Sequence, residues 1–247
     1  MTITRTLDVQ GLSIKVAKIK TFGNTYHTLV EYNDDNHFII PNLYYTGKYT
    51  CNNDGLQDID HIAIAVQDLN KYCSNYESGL CFYMSHKETV ETQKSGMNSV
   101  VMNSKNDSIK FVFVEGINGK AMSQISQFLY HNAGEGVQHL AFSSFDILRD
   151  ISTYKAKGLD FLSAPTGYYS SFSSTLKMYF KKILEDLKTY QILVDRDEKG
   201  YLLQIFTRPI QTKPTLFLEI IQRDGSKGFG RNNILALFKS IESQIKQ

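Results

Sequence analysis

Three residues of this chain have the types and the setting to hold a metal ion. His61 lies in Asp-Ile-Asp-His-Ile-Ala-Ile-Ala-Val-Gln-Asp-Leu (58–69), and His139 in Gly-Val-Gln-His-Leu-Ala-Phe (136–142). The two stretches follow one plan. A shift of 139 − 61 = 78 positions carries His61 onto His139, Ala63 onto Ala141, Asp68 onto Asp146 and Leu69 onto Ile147. Each copy reads as a strand bearing one histidine, then a helix opened by an aspartate. Further on, Thr-Leu-Phe-Leu-Glu-Ile-Ile (215–221) sets Glu219 among apolar neighbours. Two imidazoles and one carboxylate form a facial set that leaves coordination positions open, which suits Fe(II) with a substrate and dioxygen. A histidine in an apolar strand is more often a hydrogen-bonded core residue. Its recurrence at equivalent points of a repeat, and the cost of burying Glu219 unpaired, favour metal. Spacing alone leaves both readings open.

The elements that must position these residues follow from periodicity and turn signals. Residues 8–20 and 26–32 alternate apolar and polar and predict two strands around a turn at Gly23-Asn24. Residues 33–57 are rich in turn formers and read as a connection; His27 and His37, in strand and loop, read as residues without metal. A first βαβββ unit then runs over 58–118: strand 58–66, a helix from Asp68 to about Tyr76 capped by Asp68, and strands 80–87, 97–104 and 108–115. A short helix over 121–131 leads to a turn at 133–136. The second unit, 136–222, has a strand over 136–143 and a helix over 146–157 that Gly158 stops. A strand near 159–163 follows, then an amphipathic helix over 174–188 and strands 190–195, 201–207 and 215–221. Gly225, Gly228 and Gly230 surround Phe229. A last helix, 233–245, presents Ile234, Leu237, Phe238 and Ile241 on one face.

Composition narrows the function classes. The 247 residues can bury a sizeable core, and the formal net charge is only +2. That balance gives no electrostatic case for nucleic acid or an anionic membrane. No window reaches the ~18 apolar residues of a membrane span, and the first residues lack the apolar run of a signal peptide. Cys51, Cys73 and Cys81 make no paired framework and read as reduced thiols, which places the chain in the cytoplasm.

Longer runs carry a family resemblance. Gly-Val-Gln-His-Leu-Ala, Gly-Leu-Asp-Phe-Leu-Ser-Ala-Pro-(x)2-Tyr-Tyr, Asp-Glu-Lys-Gly-Tyr-Leu-Leu-Gln-Ile-Phe-Thr-Arg-Pro and Pro-Thr-Leu-Phe-Leu-Glu-Ile-Ile-Gln-Arg-(x)5-Gly-Phe-Gly occur in order. From about residue 14 to 244 the chain resembles the 4-hydroxyphenylpyruvate dioxygenase and 4-hydroxymandelate synthase family. The resemblance implies an α+β vicinal oxygen chelate (glyoxalase/bleomycin-resistance-like) fold, with paired βαβββ units forming an open barrel around a metal and a C-terminal gate helix. It implies Fe(II) held by His61, His139 and Glu219, with 4-hydroxyphenylpyruvate and dioxygen as substrates of an oxidative decarboxylation and hydroxylation. It places Gln138, Gln204 and Ile234 in the catalytic set. Ser99, Gln124, Phe206, Phe217, Phe229, Asn233 and Phe238 would meet the substrate. It divides the chain into the remnant of a non-catalytic domain (1–45), a linker (46–57) and a catalytic domain (58–247). Two orphan strands cannot cover an apolar face alone, so a homo-oligomer is expected.

Two departures bear on the product. The family's usual Pro-Ile-Asn-Glu-Pro strand reads Val112-Phe113-Val114-Glu115-Gly116 here, and its Gly-Asn-Phe reads Asn232-Asn233-Ile234. The mandelate synthase also has aliphatic residues at both places, which leans the reading toward 4-hydroxymandelate. Phe238 matches the dioxygenase, as does the Glu219 strand, and keeps homogentisate as the alternative. Another metal enzyme of the same fold, or a metal-free binding protein on it, are the rival classes.

Overall fold

The computed structural model describes residues 2–9, 12–31 and 55–244, with side chains over 15–31 and 55–238. The expected linker 46–57 lies outside the described residues up to residue 54, as do His37 and Cys51. The chain divides into two compact units, Met1–Asn53 and Asp54–Gln247.

The first unit is an antiparallel sheet of three strands, where two were expected: β1 (Thr2–Val9), β2 (Leu12–Lys20) and β3 (Tyr26–Glu31). The run expected over 8–20 takes in the end of β1 and all of β2, which pair antiparallel with Val9 opposite Leu12. The missed signal is the β-branched series Thr2, Ile3, Thr4 and Thr6, residues that favour a pleated surface. The turn into β3 closes through Thr25 N–H donating to the Phe22 carbonyl at 2.9 Å.

The second unit holds an eight-stranded mixed sheet. Its first half is β4 (Leu56–Val66), α1 (Leu69–Leu80), β5 (Tyr83–Glu91), β6 (Ser95–Asn103) and β7 (Lys110–Asn118). After α2 (Gln124–His131), the second half is β8 (Gly136–Ser144), α3 (Ile147–Ala156), α4 (Ser174–Tyr179), α5 (Leu184–Tyr190), β9 (Leu193–Arg196), β10 (Tyr201–Phe206) and β11 (Phe217–Asp224). The chain ends in α6 (Arg231–Gln244). Strand order is β5-β6-β7-β4-β8-β11-β10-β9. The halves are mirrored about an antiparallel β4/β8 pair, and each central strand has a parallel outer neighbour, β7 or β11. The sheet curls into a half-barrel. Helix α6 packs on both edge strands, β5 and β9, and so spans its open side.

Local chemistry explains the elements and the differences from expectation. Asp68 accepts from the Lys71 amide at 3.0 Å, and Asp146 does the same for Arg149 at 3.1 Å, so both repeat helices start at the expected aspartate. Helix α1 packs Tyr72 and Tyr76 against Phe111 and Phe113, and it runs past Tyr76 to Leu80 because the Cys81 and Phe82 amides close a last turn onto the Tyr76 carbonyl. It stops where Cys81 turns left-handed (φ 56°), which moves β5 three residues later than expected. The strand expected at 159–163 is reduced to a single bridge, Phe161 with Thr207, because β9 already occupies that edge of β10. The single helix expected over 174–188 is two. A break at 180–183 lets Phe180 and Leu187 enter one core with Ile147, Ile151 and Ile205. A second core lies on the histidine face of the sheet: Ala63, Ala65, Val101, Val112, Val114, Ile125, Phe128 and Phe238. No described helix is long and apolar enough to cross a membrane.

Candidate metal centre

Register places the three expected ligands. Ala141 of β8 pairs with His61 of β4 on one side and with Glu219 of β11 on the other, so all three side chains share a face. His139 is two residues back on β8 and points the same way. Ala141 and Ala63 are fully buried, and their methyl groups leave room for the longer side chains to converge. His61 Nε2 and His139 Nε2 are 3.3 Å apart; Glu219 Oε2 lies 3.5 Å from the first and 3.3 Å from the second. The centre of that triangle is about 2 Å from each atom, within the ~2.0–2.2 Å of first-row N and O ligation. The residues therefore fit a divalent ion.

Each of the three side chains is held by its other polar atom. His61 Nδ1 meets Asp60 Oδ1 at 2.9 Å and His139 Nδ1 meets Gln138 Oε1 at 3.1 Å. Donation from each Nδ1 leaves both Nε2 lone pairs facing the centre, the outer-partner arrangement of metal-bound histidines. Glu219 Oε1 accepts from Gln204 Nε2 at 2.7 Å, leaving Oε2 to face the histidines. Strand alternation alone would point Asp60 and Gln138 away from the histidines that follow them. The β4/β8 ladder, however, slips between Ile59 and His61 and again between Ala63 and Ile64. Asp60 and Gln138 are the extra residues at these two bulges. A bulge re-aims a side chain beside a site, and here it turns the preceding residue onto the ring.

The electrostatics favour a cation. Burial works to raise the Glu219 pKa, but hydrogen bonds and charge from His139 and His61 hold it down to about 2. Burial works to lower His61, and its bonds to Asp60 and Glu219 outweigh this and raise it. Burial, aided by the His61 charge, lowers His139. In the metal-free protein the His61 ion pairs therefore stabilise the fold below the unfolded histidine value of about 6.5 and lose that effect as pH rises through the folded value. Metal needs the neutral ring, so proton and metal compete. Affinity is expected to rise with pH by about tenfold per unit wherever one proton is displaced. Calorimetric metal titrations near neutrality, in buffers of different ionisation enthalpy, read both the slope and the released proton; a flat profile would contradict the assignment.

The centre forms one wall of a cavity of about 390 Å³. Of the residues singled out in the sequence, Ser99, Gln124, Gln138, Gln204, Phe206, Phe217, Phe229, Ile234 and Phe238 line it with the three ligands. Phe217 stacks on the His139 ring at 4.9 Å and meets Phe206 edge-on at 6.2 Å. Asn233 does not line the cavity. It is buried behind Gln204, donating to Gln204 Oε1 at 2.7 Å and accepting from the Tyr168 hydroxyl at 2.7 Å. Gly230, at φ +76°, lies so close to Gln204 that a Cβ would sit 1.9 Å from its Oε1; both backbone and space require glycine. Gln124 Nε2 is buried without a hydrogen-bond partner among the described residues. Sequence reasoning missed Asp60, Tyr168 and Arg223. Of these, Asp60 carried a signal, an acid directly before the histidine.

Known proteins resemble this chain in sequence and in fold. Residues 58–205 match the Glyoxalase/Bleomycin resistance protein/Dioxygenase superfamily. The 4-hydroxyphenylpyruvate dioxygenase of Danio rerio is 38% identical over 249 residues, covering 94% of this chain and 62% of that protein. That of Neurospora crassa is 37% identical over 247 residues, covering 94% and 60%. A triple mutant of 4-hydroxymandelate synthase from Streptomyces coelicolor superposes with a TM-score of 0.83 at 31% identity, covering 99% of this chain and 69% of that one. The chain thus spans about three fifths of the length of these two curated relatives. With its paired units and the matched segment, the chain belongs to the Glyoxalase/Bleomycin resistance protein/Dioxygenase superfamily and, within it, to the family of 4-hydroxyphenylpyruvate dioxygenase and 4-hydroxymandelate synthase.

Proposed function

We propose that this chain is the catalytic part of a non-haem Fe(II) oxygenase acting on 4-hydroxyphenylpyruvate. The observation that carries this reading is the convergence of His61, His139 and Glu219, each held from outside, at the wall of an aromatic cavity. An iron(II) ion there would supply the affinity for a 2-oxo acid and the activation of dioxygen that oxidative decarboxylation requires. The chain's own residues do the rest. Phe206 and Phe217 offer edge and face to an aromatic ring. Gln124 brings an unpaired amide N–H to the cavity, a donor for a substrate oxygen. Gln204 keeps the Glu219 carboxylate turned inward. Phe229, edge-on to His61 at 5.2 Å, excludes water from that side. Ser99 and Gln138 add polar contacts along the cavity.

For the product we favour 4-hydroxymandelate. Ile234 and Val114 both line the cavity, where the dioxygenase pattern has a ring and an amide. Without them the substrate has room to turn its benzylic carbon, not its ring, toward the site of oxygen transfer. Phe238 on the same wall, and the names of the curated relatives, favour homogentisate as the second reading. We also propose a reducing, cytoplasmic setting, supported by the free thiols of Cys73 and Cys81, and assembly into a homo-oligomer, supported by the exposed Tyr26 and Leu29 of the three-stranded unit. The test is oxygen uptake by the anaerobically iron-loaded protein with 4-hydroxyphenylpyruvate, followed by chromatography of the product. Uptake that requires the 2-oxo acid supports the proposal; a loaded protein that consumes no oxygen with it refutes the substrate.

A further inference from the structure

Arg223 connects parts of the second unit that are far apart in sequence. From β11 its Nε and Nη2 grip both oxygens of Asp60 on β4, at 2.8 and 2.9 Å. That is a bidentate pair on the carboxylate that holds His61. Its Nη1 points the other way and donates to the carbonyls of Gly228 at 2.6 Å and Ser226 at 3.2 Å, in the loop that leads into α6. The guanidinium also lies 5.2 Å from the Phe229 ring centroid, and that ring in turn meets His61 edge-on at 5.2 Å. His61, Asp60, Arg223 and Phe229 thus form a closed circuit. The amide side of the same loop is held separately: Asp197 Oδ2 accepts from the Ser226 hydroxyl at 2.8 Å and from the Lys227 and Gly228 amides at 2.7 Å each. Gln204 Nε2 also donates to the Phe229 carbonyl at 3.3 Å, and Gly230, at φ +76°, supplies the joint where the loop enters the helix.

Resting on the metal reading above, we propose that Arg223 is a positioning residue that makes metal binding at His61 and the seating of the 226–230 loop at the root of α6 one coupled event. A ligand ring that can rotate lets Asp60 drift, and a drifting Asp60 releases the guanidinium that pins the loop. An ion that fixes His61 therefore fixes the loop. By reciprocity, a loosened loop weakens the ion by the same factor. A lysine at 223 would keep the charge but could not serve Asp60 and the loop carbonyls together, since it lacks the planar fork.

The experiment measures Co(II) affinity, from its visible absorption, together with amide hydrogen exchange over 226–236. It uses the full chain, with and without Co(II), for wild type, Arg223→Met, Arg223→Lys and Asp197→Asn. In wild type, Co(II) is expected to slow exchange of this segment at least tenfold. Arg223→Met, which leaves Asp60 in place but removes the residue that holds it, is expected to weaken Co(II) binding by about tenfold, the lower end of the cost of losing an outer partner itself, and to abolish the slowing. Arg223→Lys should recover less than half of the logarithmic loss. Asp197→Asn, which touches the loop and neither Asp60 nor His61, should also weaken Co(II) by several-fold, and it decides the matter if Arg223→Met does not fold. Wild type that binds Co(II) with no change in loop exchange overturns the coupling alone. Full Co(II) affinity in Asp197→Asn does the same. Wild type that takes up no Co(II) overturns the metal reading and the coupling with it.

Discussion

Glu219→Gln is expected to remove high-affinity metal binding while leaving the fold in place. The substitution is nearly isosteric, and the amide can meet every neighbour of the carboxylate. Its oxygen can still accept from Gln204 Nε2, now 2.7 Å from Oε1. Its N–H can face the two imidazole nitrogens, now 3.3 and 3.5 Å from Oε2. What is lost is an anionic ligand in a site of 2% exposure, where no water can replace its charge. Loss of an outer partner costs about 10–100-fold in affinity, so loss of the ligand itself should exceed the upper end of that range. A second consequence follows for the metal-free variant. His61 is raised by Asp60 and by Glu219; with only Asp60 left, its proton is released at lower pH than in wild type. Both effects are measurable. Metal at a thousandfold excess over its dissociation constant stabilises a folded protein by about 4 kcal/mol, so wild type should melt distinctly higher with Co(II) or Fe(II). The variant should melt at one temperature with or without metal. A retained metal-dependent shift would mean that the ion sits elsewhere.

The repeat, the two histidines and the buried acid were legible because each is a local pattern: one histidine per apolar strand, an aspartate at the next helix start, and one charge among apolar neighbours. The repeat also accounts for the number of ligands. Ala141 pairs with Glu219, while its counterpart Ala63 pairs with Val112 on β7. Val112 is therefore the first unit's equivalent of Glu219, and an aliphatic residue there leaves three side chains able to hold a metal where a symmetric site would have four. What stayed hidden depends on register. Asp60 and Gln138 reach their histidines through bulges, and no alternation pattern announces a bulge. Arg223 meets Asp60 from a strand 163 residues later in sequence, and both residues read as ordinary polar positions until β11, β8 and β4 are laid side by side. Asn233 is a substrate contact by family resemblance alone; in the structure it lies behind Gln204, while its neighbour Ile234 lines the cavity. The break between α4 and α5 was missed because Phe180 and Ile183 fit helical spacing equally well whether or not the helix is continuous.

Ile234→Phe is expected to invert the product ratio, from mostly 4-hydroxymandelate to mostly homogentisate. Ile234 sits in the first turn of α6 and packs beside Phe229 and Phe238 against the Val112 and Val114 wall. A ring at 234 would project into the space between that wall and the metal centre. A substrate turned to present its benzylic carbon needs that space for its aromatic ring, whereas a substrate presenting its ring to the centre gains a stacking partner. The required energy is small. A tenfold change in partition between two transition states corresponds to about 1.4 kcal/mol, and one aromatic contact supplies about 0.5–1.5 kcal/mol. Val114→Asn in the same chain should reinforce the effect, since residue 114 pairs directly with Ser99 across β6 and β7 and would give that end of the cavity a second polar group. Chromatography of products from wild type, each single variant and the pair separates the contributions. Wild type that releases chiefly homogentisate would show that an aliphatic residue at 234 is compatible with ring attack, and the assignment of Ile234 as the product switch would fall. A ratio that Ile234→Phe leaves within twofold of wild type would move the decision to Phe238, the one aromatic residue of α6 already facing the same wall.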